Sequence, residues 1–235
     1  RGQGRSRNPR MAARLGGWLA LYLIGAWLVL GWAEAEKEIR IFCALFRPGT
    51  PEAQVVRTLS TAHWSRWAET GSPSSLVVTS HRTLGTSRCD VTLTDGAVRE
   101  ATLTNPLPLR IGAAWVATVG FASLAVFQLL LALGRPWGHL AWGGGHRILP
   151  KRLRLASLAS MGILILASAA LLDRAGVTRI LPWPALAEGI SWALVLLFAL
   201  SLLGNLFSGS RWERRIFAPV AFVLSLACLA VGLGM

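Results

Sequence analysis

Five apolar stretches constrain the fold of this chain more than any other feature. Each is about 20 residues long, the length of helix that crosses the roughly 30 Å hydrocarbon core of a bilayer. A helix satisfies its own backbone hydrogen bonds, so it is the expected form of such a segment in lipid. We therefore predict an all-α transmembrane bundle with five spans. The stretches contain no lysine, arginine, aspartate or glutamate and cover residues 15–33, 111–133, 155–172, 189–207 and 216–235.

The basic residues indicate how these spans are oriented. The formal net charge is +13, which in a water-soluble protein would suggest a nucleic-acid partner. Here the arginines and lysines cluster in residues 1–14, in the connection at 134–154 and at 211–215. Alternating spans put all three clusters on one side, which the positive-inside rule assigns to the cytoplasm. We expect a cytoplasmic N-terminus, an extracytoplasmic C-terminus, anionic lipid head groups as partners and no nucleic acid.

The first span has to be distinguished from a signal peptide. A basic segment precedes it, and Ala33-Glu34-Ala35 has the small-x-small pattern of a cleavage site. The apolar region of a signal peptide has about 7 to 15 residues. The stretch at 15–33 is longer, so we expect it to be retained as a membrane anchor.

The connection of residues 34–110 has the composition of a small folded domain. Its first residues continue the first span as a helix until Pro48-Gly49, and a second helix of about 15 residues follows from Pro51. Alternating apolar residues then predict strands, with a hairpin turn at Asp95-Gly96. We predict a small extracytoplasmic α+β domain between spans one and two, with a two- or three-stranded antiparallel sheet.

Cys43 and Cys89 are the only cysteines of this connection. A domain of this size has a small core, and disulfides are typical of the oxidising side of a membrane. We therefore expect a structural disulfide between the two. The alternative is a redox-active pair, which the absence of a Cys-x-x-Cys sequence disfavours. Cys228 lies in the fifth span, where we expect it to be a buried apolar residue.

The connection of residues 134–154 has the most unusual local composition of the chain. Its glycines permit close backbone approach, and its tryptophans suit the head-group region. No Gly-Lys-Ser/Thr sequence follows, which argues against a phosphate-binding loop. We interpret it as a docking or anion-binding loop, and the alternative is an interfacial or re-entrant connector. The candidate contact residues are Arg135, Trp137, His139, Trp142, His146 and Arg147.

The polar residues of the spans indicate no catalytic or cofactor site. All 4 histidines lie outside the spans, which disfavours haem ligation in the bilayer. His139 and His146 lack the carboxylate neighbours of a good metal site. Gln128 and Asn205 are the strongest polar groups inside spans, and we expect them to form interhelical hydrogen bonds. We therefore predict no catalytic residue, no metal and no cofactor.

One resemblance to a known family covers about residues 120–235. The residues that carry it are Phe127-Gln128, Leu131 to Gly138, Gly143-Gly144, Leu149-Pro150, Arg152-Leu153-Arg154, Asn205, Ser208, Ser210, Trp212-Glu213-Arg214 and Pro219. With these residues, this part of the chain resembles a family of uncharacterised bacterial polytopic integral membrane proteins, whereas the first half resembles no named family. The resemblance implies four packed spans and a cytoplasmic Trp/Gly loop, in the bacterial inner membrane, and it implies no activity.

Two functional classes fit these observations. The preferred one is a non-catalytic accessory or scaffold subunit of a larger membrane complex. Such a subunit would pack through aromatic faces and small-residue faces such as Ala113-x-x-x-Ala117 and Ala221-x-x-x-Ser225. The alternative is a small transporter or membrane enzyme for a lipid-like or small anionic substrate near the loop at 134–154. A ligand-sensing outer domain ranks last.

Overall fold

The computed structural model of the chain describes residues 9–70 and 74–233, with side chains from residue 15 onward. The chain divides into two compact units. Of the described residues, a helical bundle contains those up to Trp27 and residues 113–233, and a sheet unit contains those within Leu28–Gly112. Of the predicted basic segment 1–14, residues 1–8 lie outside the described part.

Within the described residues, five helices are long and apolar enough to cross a membrane. They match the five predicted spans, apart from residues 234 and 235, which lie outside the described part. The last of them begins as a π-helical turn, Glu213–Phe217, and continues as α6. The α-helices are α1 (Pro9–Leu45), α2 (Glu52–Leu59), α3 (Leu109–Ala132), α4 (Lys151–Arg174), α5 (Pro184–Phe207) and α6 (Ala218–Gly232).

Helix α1 is longer than one membrane span requires. Its 37 residues give a length of about 55 Å at the usual rise per residue, whereas the hydrocarbon core is about 30 Å thick. The predicted continuation of the first span as one helix beyond residue 33 is therefore confirmed. The helix ends at Leu45, just before Pro48 and before Gly49, which has a φ of +89°.

The bundle core consists mainly of alanine, leucine and phenylalanine side chains. Ala117, Phe121 and Ala221 are almost completely buried. A Cβ atom on Gly120 would lie 2.6 Å from Cδ2 of Leu224, so the Leu224 side chain of α6 packs directly onto α3 at this glycine. Such close contact through small residues is typical of membrane helices.

The first part of α1 packs against α6. The hydroxyl groups of Tyr22 and Ser225 form a hydrogen bond of 2.8 Å. A Cβ atom on Gly25 would lie 2.5 Å from Cδ1 of Leu226, so the Leu226 side chain packs directly onto α1 at this glycine. The ring centroids of Trp18 and Phe222 lie 5.9 Å apart, in an edge-to-face arrangement.

The sheet is an antiparallel meander with the strand order β1-β2-β3-β4. It has four strands, so the prediction of two or three is wrong. The sheet follows both α1 and α2 in the chain. The predicted position of the outer domain, from residue 34 directly after the first span, is therefore not matched, because residues 34–45 still belong to α1. The strands are β1 (Arg66–Glu69), β2 (Ser75–Thr79), β3 (Arg88–Thr94) and β4 (Ala97–Thr104).

Sequence analysis missed strand β1 and predicted helix α2 with too great a length. Strand β1 is an edge strand of four residues, and only Trp67 of these is partly buried, so it lacks the alternation of a half-buried strand. Helix α2 has 8 residues instead of about 15. It ends at Leu59, and Ser60, Thr61 and Ala62 then form turns through hydrogen bonds to the preceding carbonyl groups.

The predicted hairpin is confirmed. Leu93 pairs with Val98 and Thr94 pairs with Ala97, which leaves a two-residue turn at Asp95 and Gly96. Both turn residues have positive φ, +52° and +74°. This combination defines the turn type that matches the twist of a two-residue hairpin.

The core of the sheet unit lies between the sheet and the helical segments. Ile39 and Phe42 of α1 and Val55 of α2 are buried against Val78 and Val91 of the sheet. Cys43 and Cys89 form a disulfide with a Cα–Cα distance of 5.7 Å, which joins α1 to β3. This bond was predicted, and Cys228 is a buried free cysteine, as was also predicted.

Two glutamates near the end of α1 fix the loops of the sheet unit. Glu38 accepts hydrogen bonds from the amides of His63 (2.7 Å) and Trp64 (2.9 Å) and from the Ser65 hydroxyl. Glu36 is 4% exposed and accepts from Asn105 Nδ2 (2.7 Å). Glu36 also accepts from the amide that opens α3 (3.2 Å). Sequence analysis treated Glu36 and Glu38 only as part of the helix that continues the first span.

Substituting Cys43 by Ala tests the disulfide. We expect the free energy of unfolding of the sheet unit to fall by about 4 kcal/mol, because the bond spans a sequence separation of 46 residues and constrains the unfolded chain. Chemical unfolding of the purified protein, with and without reductant, measures the effect.

Cys228→Ala is the matched control, because this cysteine lies in the other unit. It should leave the unfolding of the sheet unit unchanged. Thiol labelling of the denatured, unreduced protein should detect Cys228 alone, and reduction should make all 3 cysteines reactive. Full reactivity before reduction would contradict the disulfide.

Candidate functional site

The bundle contains a cavity of about 350 Å³. Its walls are mostly apolar and come from four helices, with Leu124 of α3, Ile163 of α4, Leu197 of α5 and Val220 of α6 among them. Known small-molecule pockets span about 300 to 1,000 Å³ and combine apolar walls with a few polar groups. The cavity is therefore large enough for part of a lipid-like chain.

The polar residues of the cavity lie toward one end of the bundle. Gln128 is near the end of α3, Asn205 is near the end of α5, and Glu213 opens the π-helical turn. Ser160 and Ser201 also line the cavity. The cavity thus combines apolar walls with a concentrated group of carboxamide and carboxylate functions.

Gln128 brings an unpaired polar atom to the cavity. Its Oε1 atom is buried and has no hydrogen-bond partner among the described residues. An unpaired buried acceptor costs about 1 to 3 kcal/mol. Sequence analysis singled out Gln128 and Asn205 but did not place them in one cavity. Their expected interhelical hydrogen bonds stay a prediction.

Glu213 is the site residue that sequence analysis missed. It is 8% exposed and lines the cavity. Its Oε1 accepts a hydrogen bond from the Gly143 amide (2.9 Å), and its Oε2 accepts one from the Ser208 hydroxyl. π-Helical turns such as the one it opens are frequent at functional sites. The available signal was a single acidic residue within the basic segment 211–215.

The loop at 134–154 folds back on itself beside this carboxylate. The amide of Gly138 donates to the carbonyl of Arg147 (3.0 Å), and a Cβ atom on Gly138 would lie 2.6 Å from the carbonyl oxygen of His146. Gly143 has a φ of +76°, a conformation that favours glycine. These two glycines therefore set the shape that brings the Gly143 amide to Glu213.

Only one of the six predicted loop contacts reaches the cavity. Trp142 lines it, while the side chains of all six residues are exposed. The carbonyl of His139 accepts a hydrogen bond from the Ser210 hydroxyl (3.4 Å), so His139 contributes through its backbone. Anion contacts of Arg135, Trp137, His139, Trp142, His146 and Arg147 stay a prediction.

Two arginines on the side of the bundle that carries the loop at 134–154 donate hydrogen bonds at the ends of helices. Arg154 donates from Nε to the carbonyl of Ala132, the last residue of α3 (2.6 Å). Arg214 donates to the carbonyl of Ser208, just beyond the end of α5. The last carbonyls of a helix lack partners within the helix, so a basic side chain stabilises them. Part of the basic character that we assigned to lipid contact therefore serves the bundle itself.

The described residues include no group of three or more His, Cys, Asp or Glu side chains placed to hold a metal ion. What the site offers chemically is a space for an apolar chain beside a carboxamide, a carboxylate and several hydroxyl groups. This combination suits the binding of an amphipathic molecule.

Substituting Glu213 by Ala should release the loop. The change removes the acceptor of the Gly143 amide and of the Ser208 hydroxyl, and a hydrogen bond to a charged group contributes about 1.5 to 3 kcal/mol. We expect amide exchange in residues 138–146 to accelerate by at least about tenfold. Hydrogen–deuterium exchange of the protein in lipid nanodiscs measures this.

Glu188→Ala is the control, because Glu188 is an exposed carboxylate at the other end of α5 that pairs with Arg174 at 3.7 Å. It should leave exchange in residues 138–146 unchanged. Equal exchange of this loop in the Glu213 variant and the unmodified protein would show that the carboxylate does not hold the loop.

Comparisons with protein-family models, with curated proteins and with solved structures found no match to this chain. The resemblance over about residues 120–235 therefore stays a prediction. Function has to be inferred from the cavity, the buried carboxylate and the loop that it holds.

Proposed function

We propose that this protein binds a lipid-like, amphipathic molecule in the cavity of its helical bundle. The observation that carries the proposal is the cavity of about 350 Å³, with apolar walls from four helices and with Gln128, Asn205 and Glu213 toward one end. Binding of such a molecule is the step shared by the small-transporter and membrane-enzyme alternatives.

The form of the cavity supports an occupant. It is partly open, since its lining residues Ile163 and Leu197 are 56% and 47% exposed, so these side chains lack dispersion contacts with the protein on one side. The unpaired Oε1 of Gln128 adds a second cost. A ligand with an apolar chain and a polar end would remove both costs at once, which makes this cavity a better candidate than the exposed loop side chains.

The accessory-subunit role that we preferred on sequence grounds becomes the second candidate. One observation favours it: Leu19, Leu23 and Ile24 of α1 are all more than half exposed. However, Ala117 and Ala221, from the small-residue faces expected to contact partners, are almost completely buried within the chain's own bundle. Those faces already have a role inside the protein.

We also propose that the protein lies in a bacterial inner membrane with a cytoplasmic N-terminus and an extracytoplasmic C-terminus. The clustering of basic residues at 1–14, 134–154 and 211–215 supports this orientation. The disulfide between Cys43 and Cys89 supports an extracytoplasmic sheet unit, because disulfides persist in oxidising compartments. Anionic lipid head groups are the expected partners of exposed Arg135 and Arg147.

Reporter fusions test this orientation. Alkaline phosphatase, which is active only outside the cytoplasm, should be active when fused to the C-terminus and inactive when inserted after Gly145. A green fluorescent protein fused to the C-terminus and exported unfolded should stay dark. The opposite pattern would reverse the orientation and with it the predicted side of the sheet unit.

Photo-crosslinking tests the binding proposal. The probe is a long-chain alcohol with a diazirine in its alkyl chain, applied to the protein in lipid nanodiscs. We expect cross-links at cavity residues such as Leu164, Phe198 and Val220, because these line the cavity and none of them is an exposed residue. Ser201→Phe should reduce these cross-links severalfold, since a large ring would occupy the space.

Leu200→Phe is the matched control, because Leu200 is the neighbouring residue, is 56% exposed and does not line the cavity. It should leave the cavity cross-links unchanged. Cross-links spread evenly over exposed residues and insensitive to Ser201→Phe would contradict the proposal. In that case a stoichiometric protein partner after purification in mild detergent would favour the accessory role.

A further inference from the structure

We infer that the ligand of the bundle cavity is an uncharged apolar chain that ends in a hydroxyl group, and that Gln128 recognises this hydroxyl. The inference rests on the proposed binding function and specifies its ligand class. It depends on two side chains, the unpaired carboxamide of Gln128 and the buried carboxylate of Glu213.

The unpaired atom of Gln128 requires a hydrogen-bond donor. Oε1 is an acceptor, and it has no partner among the described residues although it is buried. A hydroxyl group donates one hydrogen bond and accepts others, so it can serve both ends of a carboxamide. An ether oxygen or a ketone oxygen only accepts and would leave Oε1 unpaired.

Glu213 excludes an anionic ligand. Its carboxylate lines the cavity and is 8% exposed, so it is poorly screened by water. It accepts from the Gly143 amide and the Ser208 hydroxyl, and a carboxylate has about four acceptor positions. A ligand hydroxyl could donate to a remaining position, whereas a fatty-acid or phosphate head group would be repelled.

The neighbouring charges disfavour a cationic ligand. Arg214 donates to the carbonyl of Ser208, the residue whose hydroxyl donates to Glu213. The guanidinium therefore lies near the carboxylate and lowers its attraction for a second cation in the cavity. A neutral hydroxyl satisfies the acceptors without adding charge, which separates this ligand class from the small anionic substrate considered on sequence grounds.

The unpaired state of Gln128 also makes the test sharp. A leucine at this position removes a buried unsatisfied polar atom, so folding should not suffer. A binding group is expected to decide which ligand binds while contributing nothing, or unfavourably, to the stability of the fold. A purely structural glutamine would stabilise the fold and have no effect on which ligand binds.

Competition against the photoreactive alcohol tests the inference in the full-length protein in nanodiscs. The competitors share one chain and differ in their end: dodecanol, dodecyl methyl ether, dodecylammonium and dodecanoate. We expect dodecanol to compete about fivefold better than the ether, as one neutral hydrogen bond predicts. In Gln128→Leu this difference should disappear, with the melting temperature unchanged or raised.

Gln54→Leu is the matched control, because it makes the same change at an exposed position of α2 outside the bundle. It should leave the preference for dodecanol intact. Equal competition by dodecanol and the ether in the unmodified protein would overturn the inference while leaving cavity binding in place. Stronger competition by dodecylammonium or dodecanoate would also overturn it. Competition by none of these compounds, together with no cavity cross-links, would overturn the proposed function itself.

Discussion

The lack of water in a bilayer core is the constraint on which the rest of this structure depends. Backbone amides and carbonyls have no solvent partner there, so each apolar segment has to satisfy them within a helix. The same constraint makes helix ends costly, because their last carbonyls have no partner within the helix. Arg154 donates to such a carbonyl at the end of α3, and Arg214 donates to the carbonyl of Ser208, just beyond the end of α5. These arginines therefore contribute to the stability of the bundle itself.

The need of buried polar groups for hydrogen-bond partners also bears on what the cavity binds. Glu36, Glu38 and Glu213 each accept two or more hydrogen bonds from segments distant in sequence or from loops. The Oε1 of Gln128 has no partner among the described residues, as is also true of the Thr118 and Ser157 hydroxyls of the bundle, but of these three residues only Gln128 lines the cavity. Burial without a partner lowers stability. A ligand that supplies the missing hydrogen bond gives this residue a physical reason to be there.

Glu213 connects the loop to the cavity. Its carboxylate holds the Gly143 amide and also lines the space that we assign to the ligand. A ligand hydroxyl that donates to the same carboxylate would lie next to the hydrogen bond between Glu213 and the Gly143 amide of the loop. Ligand binding and the position of residues 138–146 therefore involve one group, and variants of Glu213 are expected to affect both.

The sequence by itself determined the features with a local or periodic signal. These are the five apolar helices, the turn at Asp95-Gly96 and, from cysteine content, the bond between Cys43 and Cys89. Strand β1 was missed because an edge strand with three exposed residues carries little alternation. Only the tertiary structure placed Gln128 beside Asn205 and Glu213 in one cavity, because Gln128 precedes these two residues by about 80 residues of chain. Burial and hydrogen-bond partners arise from packing between such distant segments, so no local pattern could reveal them.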